Sequence, residues 1–479
     1  MINNNNEIVS FDPSTQKEIW RGKIFNDKQL CEVVKTAKVT QNKFELLGFE
    51  KRKEIIQRFA QLAKEDTDEL AGVISEENGK PFWEAKTEVN ALTTKVQATV
   101  DAYAERAATK LKDMPGGGKT SVTRFRPHGV MVVLGPYNFP MSMPNSHIMP
   151  ALYAGNAVIF KPSERTPKSA EYYVSLWQRA GMPEGVLQIV YGNEETGISL
   201  VSNAEVNGVL FIGSRQAGEA ISKTIAHDTG KICVLEMGGN SPLIIWDYND
   251  VRSAIHIAIQ SAYISTGQRC SAARRIIVNR RISDNFVPAL VSAISNIIVG
   301  KPFDTNPVPF MGPLIDQRAV KQFISDYEEL LKNGAKAIIP TQILSNIGEN
   351  FVKPSLIDVT GIEISDKEIF GPLLQLHFAD DLEQAITIAN ATKFGLAAGI
   401  VTQNRENYEL FFRKTKAGII NWNQPLTGAT TIAPFGGVKA SGNNRSAGYL
   451  SVDYCSYPCA SIEDERAAIP ETLSPGLKY

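Results

Sequence analysis

Apolar positions recur at helical spacing from residue 28 to 76, with Ile55, Phe59 and Leu62 on one face. Gly79-Lys80-Pro81 ends that run. A second helical pattern extends from Phe82 to Leu111, and Gly116-Gly117-Gly118 ends it in turn. From Gly129 the rhythm changes. Short apolar runs at Val130–Leu134, Ala157–Phe160, Leu187–Val190, Val209–Ile212 and Ile232–Leu235 read as buried strands, with helical patterns between them, one from Lys168 to Arg179. Strands and helices alternating at short intervals predict a mostly parallel sheet wrapped by helices. A second α/β series starts near Pro242-Leu243-Ile244-Ile245 and runs to about Asn423. It carries helical patterns at 251–264, 284–298 and 316–332 and strand-like runs at Arg275–Val278 and Gly418–Asn421. The polar, β-prone stretch Thr120–Arg126 interrupts the first series, and the tail from about 447 is again polar. Two such additions could pair as strands with each other or with a partner subunit, or stand as two surface hairpins.

With 479 residues there is chain enough for two or three domains. Composition is that of an ordinary globular protein, 43% hydrophobic and 21% charged. The formal charge of −1 supplies no field to recruit nucleic acid or an anionic membrane. Basic runs with interleaved aromatics are missing as well. No stretch has the length and purity of a membrane helix. Met1–Asn6 lacks the basic-then-apolar order of a signal peptide and reads as a disordered leader. The cysteines (Cys31, Cys233, Cys270, Cys455, Cys459) are few, odd in number and scattered. That pattern fits a reducing cytoplasm better than a disulfide framework. Cys455 and Cys459 lack neighbours to complete a zinc site and read as packing. The five histidines show no metal spacing. His256, inside an apolar helical run, reads as a core histidine.

Parallel sheets put ligands at the carboxyl ends of their strands, and the polar residues worth attention sit there. Gly213-Ser214-Arg215-Gln216-Ala217-Gly218 follows a strand and opens a helix, which suits a pyrophosphate against a helix amino end as well as it suits a plain turn. Lys161-Pro162-Ser163-Glu164 follows another strand and offers partners for ribose hydroxyls, or a solvated turn. Asn138, between Pro136 and Pro140, is a rigid amide donor suited to an oxyanion, or an Asx turn. Glu236 ends a strand-like run, and Cys270 lies in the turn Ser265-Thr266-Gly267-Gln268-Arg269-Cys270-Ser271. A thiol with a carboxylate to move protons outlines covalent catalysis. Glu368-Ile369-Phe370-Gly371-Pro372 and Pro434-Phe435-Gly436-Gly437 are further turns carrying aromatics.

Taken in order, Pro136–Pro140, Lys161–Glu164, Gly213-Ser214, Leu235–Asn240, Gly267–Cys270, Glu368–Pro372 and Pro434–Gly437 resemble the aldehyde dehydrogenase superfamily along essentially the whole chain. The resemblance implies an α/β fold with a Rossmann-type parallel-sheet cofactor domain (1–118 and 130–237), an α/β catalytic domain (238–440) and a small β oligomerisation element (119–129 and 441–479). It implies NAD as cofactor, held by Lys161, Glu164, Gly213, Ser214, Arg215, Gln216, Ala217, Gly218, Glu368 and Phe370. Cys270 would attack the aldehyde, Asn138 would hold the oxyanion, and Glu236 would activate water. A homodimer or dimer of dimers is implied, with no metal.

A narrower resemblance, to the succinylglutamate-semialdehyde dehydrogenases within the superfamily, rests on Pro144–Ile148, Asn421–Ala429, Ser441–Arg445 and Asp453-Tyr454-Cys455. It implies a small polyanionic aldehyde, with Asn145, His147 and Arg445 as candidate partners for its carboxylates. Three rival readings stay open: oxidation of another small semialdehyde, transfer of the thioester to coenzyme A, and a non-catalytic scaffold of the same fold.

Overall fold

The computed structural model describes residues 6–114, 119–428, 430–469 and 472–478. Of the leader Met1–Asn6, residues 1–5 lie outside these residues, as does the Gly116–Gly118 break.

The chain opens with a hairpin, β1 (Glu7–Phe11) and β2 (Glu18–Lys23), that the sequence patterns did not flag. Four helices follow: α1 (Asp27–Glu45), α2 (Gly48–Glu65), α3 (Thr67–Asn78) and α4 (Phe82–Arg106). The Ile55, Phe59, Leu62 face of α2 is buried, as its spacing predicts. Phe59 stacks on Trp177 at 4.0 Å between ring centroids. Strands β3 (Lys110–Asp113) and β4 (Thr120–Pro127) then lead into the first βαβ series.

That series runs β5 (Val130–Leu134), α5 (Ser142–Ala154), β6 (Ala157–Lys161), α6 (Pro167–Arg179), β7 (Leu187–Ile189), α7 (Glu194–Ser202), β8 (Gly208–Gly213), α8 (Arg215–Ile225) and β9 (Ile232–Met237). The five strands pair in parallel in the order β7-β6-β5-β8-β9. Strand order reverses between β5 and β8, the crevice where such sheets bind ligands. Burial on both faces explains why these strands read as continuous apolar runs.

The second series contains β10 (Ser241–Ile245), α9 (Val251–Ala262), β11 (Ala273–Asn279), α10 (Ser283–Ser295), α11 (Gln317–Lys332), β12 (Lys336–Ile339), β13 (Ser355–Asp358), β14 (Leu373–Ala379), α12 (Leu382–Asn390), β15 (Ala397–Val401), α13 (Arg405–Lys414) and β16 (Ile419–Trp422). Its seven strands lie in the order β12-β13-β14-β11-β10-β15-β16, parallel except at the β12–β13 pair. The short pair β17 (Pro434–Phe435) and β18 (Ala447–Gly448) follows, and β19 (Ser456–Glu463) ends the regular structure.

The two polar additions pair with each other. β19 lies antiparallel on β4 from Ser456 opposite Pro127 to Glu463 opposite Thr120, and β3 flanks β4 on its other edge. The segment between β18 and β19 packs inward: Val452, Tyr454 and Cys455 join the core around α2, α4 and α5. Cys455 is accordingly buried, whereas Cys459 on β19 is exposed. His256 corrects the core reading made from its apolar neighbours. It points outward from α9, because Ala254, Ile255, Ile257 and Ala258 supply the buried face.

Candidate active site

Cys270 follows a turn that side-chain-bearing residues avoid. Ser265 and Thr266 both have φ of +55°, and Gly267 has +69°. Left-handed backbone costs an L-residue about 1–2 kcal/mol, so neighbours must hold it. Thr266 Oγ1 donates to Gly312 O at 2.9 Å, and the Ser265 hydroxyl bonds the Glu84 carboxylate. Arg269 donates to Ser265 Oγ and to Glu84, both at 2.8 Å. Arg274 grips the loop from below, donating to Gly267 O at 2.6 Å and Arg269 O at 2.9 Å. Gly267 is required on a second count: a Cβ there would lie 2.2 Å from Gly371 O. Strain maintained by surrounding structure is a mark of functional loops.

The result is a thiol at the bottom of a cleft of about 740 Å³, with Asn138, Glu236, Glu368 and Phe370 also in its walls. Cys270 keeps partial exposure there. Crowding by protein, reinforced by Glu368 and Glu236, pushes its thiol up to about 12. Without a change in those surroundings it rests as the thiol.

Glu236 is the penultimate residue of β9 and is 4% exposed. Its Oε1 accepts from Ala447 N–H at 3.2 Å, while Oε2 has no partner among the described residues. Burial raises its carboxyl to about 8, against the single opposing hydrogen bond. A carboxylate with one oxygen free and a pKa near neutrality suits a general base.

Asn138 follows β5. Its Nδ2 donates to Gln268 O at 2.9 Å, tying the amide to the backbone two residues before Cys270. One amide N–H satisfies that carbonyl, and the second is left for a ligand. Glu368 lies against Gly238, where a Cβ would fall 1.7 Å from Oε2. Its Oε1 accepts from Gly239 N–H at 3.2 Å and lies 3.8 Å from Arg274. Burial outweighs Arg274 and lifts its carboxyl to about 7. Phe370 packs edge-on against Tyr137, and Arg274 sits over its ring at 5.3 Å.

The cleft walls also hold Lys161, Glu164, Gly213, Ser214, Gln216 and Ala217, from the carboxyl ends of β6 and β8 and the first turn of α8. These residues fit a dinucleotide. Lys161 is 8% exposed, yet among the described residues its ammonium bonds only Pro162 O at 3.3 Å, which leaves donors for hydroxyls. Burial lowers its pKa and Glu164 opposes that shift. Ser214 caps α8 through Ala217 N–H, so the amino end of that helix opens at the cleft wall, where a phosphate is favoured.

Two expected cofactor contacts do not line the cleft. Arg215 turns along α8 to Glu219 at 2.6 Å. Gly218 lies under Met237, where a Cβ would meet Sδ at 2.5 Å. The three substrate candidates need correction as well. Asn145 and His147 are 1% and 0% exposed inside α5. Asn145 Oδ1 accepts from Tyr173 OH at 2.8 Å, and His147 Nδ1 pairs with Tyr454 OH at 2.7 Å. Arg445 is exposed, with His128 and Cys233 as electrostatic neighbours, and is not in the cleft wall. Likeness of a segment does not fix the direction its side chains take.

Arg274 and Arg165 were missed. Arg274 left a signal: an arginine in the wholly buried run Ala273–Asn279 must be partnered. Arg165 lines the cleft, pairs with Asp316 at 3.0 Å and sits over the Tyr137 ring at 4.9 Å. Its partner lies 151 positions away, and nothing local announces it.

Known proteins share this fold. A model of the aldehyde dehydrogenase family matches residues 2–458. An NADP-dependent enzyme of E. coli superposes with a TM-score of 0.90 at 28% identity, covering 96% of this chain and 95% of that one. An indole-3-acetaldehyde dehydrogenase of P. syringae, in complex with NAD+ and IAA, gives 0.89 at 28% identity over 96% and 93%. Succinate-semialdehyde dehydrogenase of Burkholderia pseudomallei gives 0.89 at 29% identity over 96% and 94%. The family model covers most of the chain and the fold is shared, so the chain belongs to the aldehyde dehydrogenase family, the NAD(P)-dependent oxidoreductases that act on aldehydes.

Proposed function

We propose that the chain oxidises N-succinyl-L-glutamate 5-semialdehyde to N-succinyl-L-glutamate with NAD, through a thioester on Cys270 that water releases. The observation that carries the chemistry is one cleft with Cys270, the Asn138 amide and the free Oε2 of Glu236 in its walls. The Cys270 thiol gives up its proton to solvent water, the resulting thiolate attacks the aldehyde carbon, and the carbonyl electrons move to oxygen, which the second Asn138 N–H and the Cys270 backbone N–H stabilise. NAD, when bound, supplies the hydride acceptor that converts this adduct to the thioester. Glu236 then takes a proton from water, the water oxygen adds to the acyl carbon, and the sulfur departs as thiolate. A base placed for hydrolysis favours release as the acid over transfer to coenzyme A.

Lys161 and Glu164 would hold the adenosine ribose and Glu368 the nicotinamide ribose. Glu164 in the cleft wall would repel a 2′-phosphate, which favours NAD. Arg165, the neighbouring cation, is already paired with Asp316.

The succinylated substrate is supported by the segments named above. A second reading, oxidation of another small acidic semialdehyde, is favoured by the likeness to a succinate-semialdehyde dehydrogenase. Initial rates of NADH formation over a panel of semialdehydes decide between them: the succinylated compound is expected to give the highest kcat/KM, and a faster turnover of succinate semialdehyde would displace it. Cys270→Ser should abolish NADH formation on the whole panel, and product analysis with and without coenzyme A should find the free acid in both. We further propose a cytoplasmic homodimer or dimer of dimers. No helix among the described residues is long and apolar enough to cross a membrane.

A further inference from the structure

Asn138 is fixed at two points, and the second belongs to a buried charge cluster outside the cleft. Its backbone carbonyl accepts from Lys80 Nζ at 3.0 Å and from Asn78 Nδ2 at 3.1 Å. Lys80 in turn pairs with Glu88 at 2.6 Å, with side-chain exposures of 3% and 0%. The other Glu88 oxygen accepts from the N–H groups of Met141 and Ser142, each at 3.1 Å. Those amides open α5, whose cap residue Met141 offers no side-chain acceptor of its own. The Lys80 ammonium also lies 3.7 Å from the centroid of the Phe139 ring. The whole turn from Asn138 to Ser142 is thus gripped from the α3–α4 junction.

We propose that Lys80, anchored by Glu88, is a positioning residue for the oxyanion-binding amide of Asn138; the inference rests on the role given to Asn138 above. A buried ion pair contributes little net stability compared with an apolar replacement. What it secures here is geometry. Asn138 has its side chain bonded to Gln268 on the Cys270 loop and its main chain bonded to Lys80. The amide therefore spans two separately folded segments. If the carbonyl anchor is released, the turn can shift while the Gln268 bond survives, and the free N–H moves off the developing oxyanion. Misplacement on the order of 1 Å at such a donor costs about 10²-fold in rate. Neither Lys80 nor Glu88 lines the cleft, so neither touches substrate.

The test is a mutant cycle on the full-length chain, reading kcat and KM for NADH formation with the semialdehyde that the panel ranks first. Lys80→Met should lower kcat about 10- to 100-fold with little change in KM. Asn138→Ala should lower it at least as much, and the double variant no further than Asn138→Ala alone. Alkylation of Cys270 by iodoacetamide, which needs no oxyanion donor, should proceed at the parent rate in Lys80→Met. Losses that multiply in the double variant, or an unchanged kcat in Lys80→Met, would overturn the clamp and leave the role of Asn138 standing. An Asn138→Ala variant with full kcat would overturn both. Should Lys80→Met fail to fold, Glu88→Gln removes the anchoring charge at constant shape and enters the same cycle; full kcat there also overturns the clamp.

Discussion

Cys270 and Glu236 share a cleft yet rest in unreactive forms for one physical reason. Burial disfavours charge on both, lifting the thiol to about 12 and the carboxyl to about 8. Two pH dependences follow. In the chain without cofactor, alkylation of Cys270 by iodoacetamide should climb about tenfold per pH unit from 7 to 10, because the thiolate fraction does; a plateau near pH 8 would contradict the burial argument. Thioester hydrolysis, measured in single-turnover experiments, should rise with pH and level off above about 8 as Glu236 ionises. Glu236→Gln should then give a burst of NADH, about one per subunit, followed by slow turnover. The same shift carries a stability sign. Folded Glu236 holds its proton up to about 8 against an ordinary value of 4.5, so between those values the unfolded state binds fewer protons and stability falls as pH rises. Tm of Glu236→Gln relative to the parent should therefore be more favourable at pH 8.5 than at pH 5.

At the scale of elements, the turn Ser265–Gly267 is the feature whose geometry decides most. Gly267→Ala adds a Cβ against a backbone carbonyl that has no rotamer to yield, in a left-handed residue. The expected cost is roughly 1–3 kcal/mol of stability, read as a lower Tm, with a fall in kcat because Cys270 moves with the loop. This turn also marks the limit of what the sequence discloses. Strands β5, β6, β8 and β9 were legible because burial on both faces leaves continuous apolar runs. Asn138, Lys161, Ser214 and Glu236 were legible because each lies at or just past the carboxyl end of such a run. Strands β12, β13 and β15 were not, being runs of only four or five residues, and Gln375 and His377 break the apolar run of β14. Lys80 was legible only as turn punctuation. Its bond to Asn138 spans 58 positions, and local periodicity holds no record of such a contact. Asn145 and His147 show the converse error: a matching segment names residues but does not fix which way a helix turns them.

For the whole molecule, the small sheet β19-β4-β3 is the part with two edges to account for. β3 is exposed along its full length, and Leu111 on it is 70% exposed. On the opposite edge strand, Ile462 is 67% and Tyr457 40% exposed. Open edges bearing large apolar side chains invite pairing with another copy unless something covers them. The sheet is assembled from residues some 340 positions apart, since Glu463 lies opposite Thr120. If these edges join subunits, charge placed on them should separate the subunits without disturbing the cleft, which lies at the carboxyl ends of a different sheet. Leu111→Asp combined with Ile462→Asp should then bring the mass by light scattering from that of the parent assembly proposed above to that of a monomer, with Cys270 still alkylated at the parent rate. A double variant that keeps the parent mass would place the interface elsewhere on the surface.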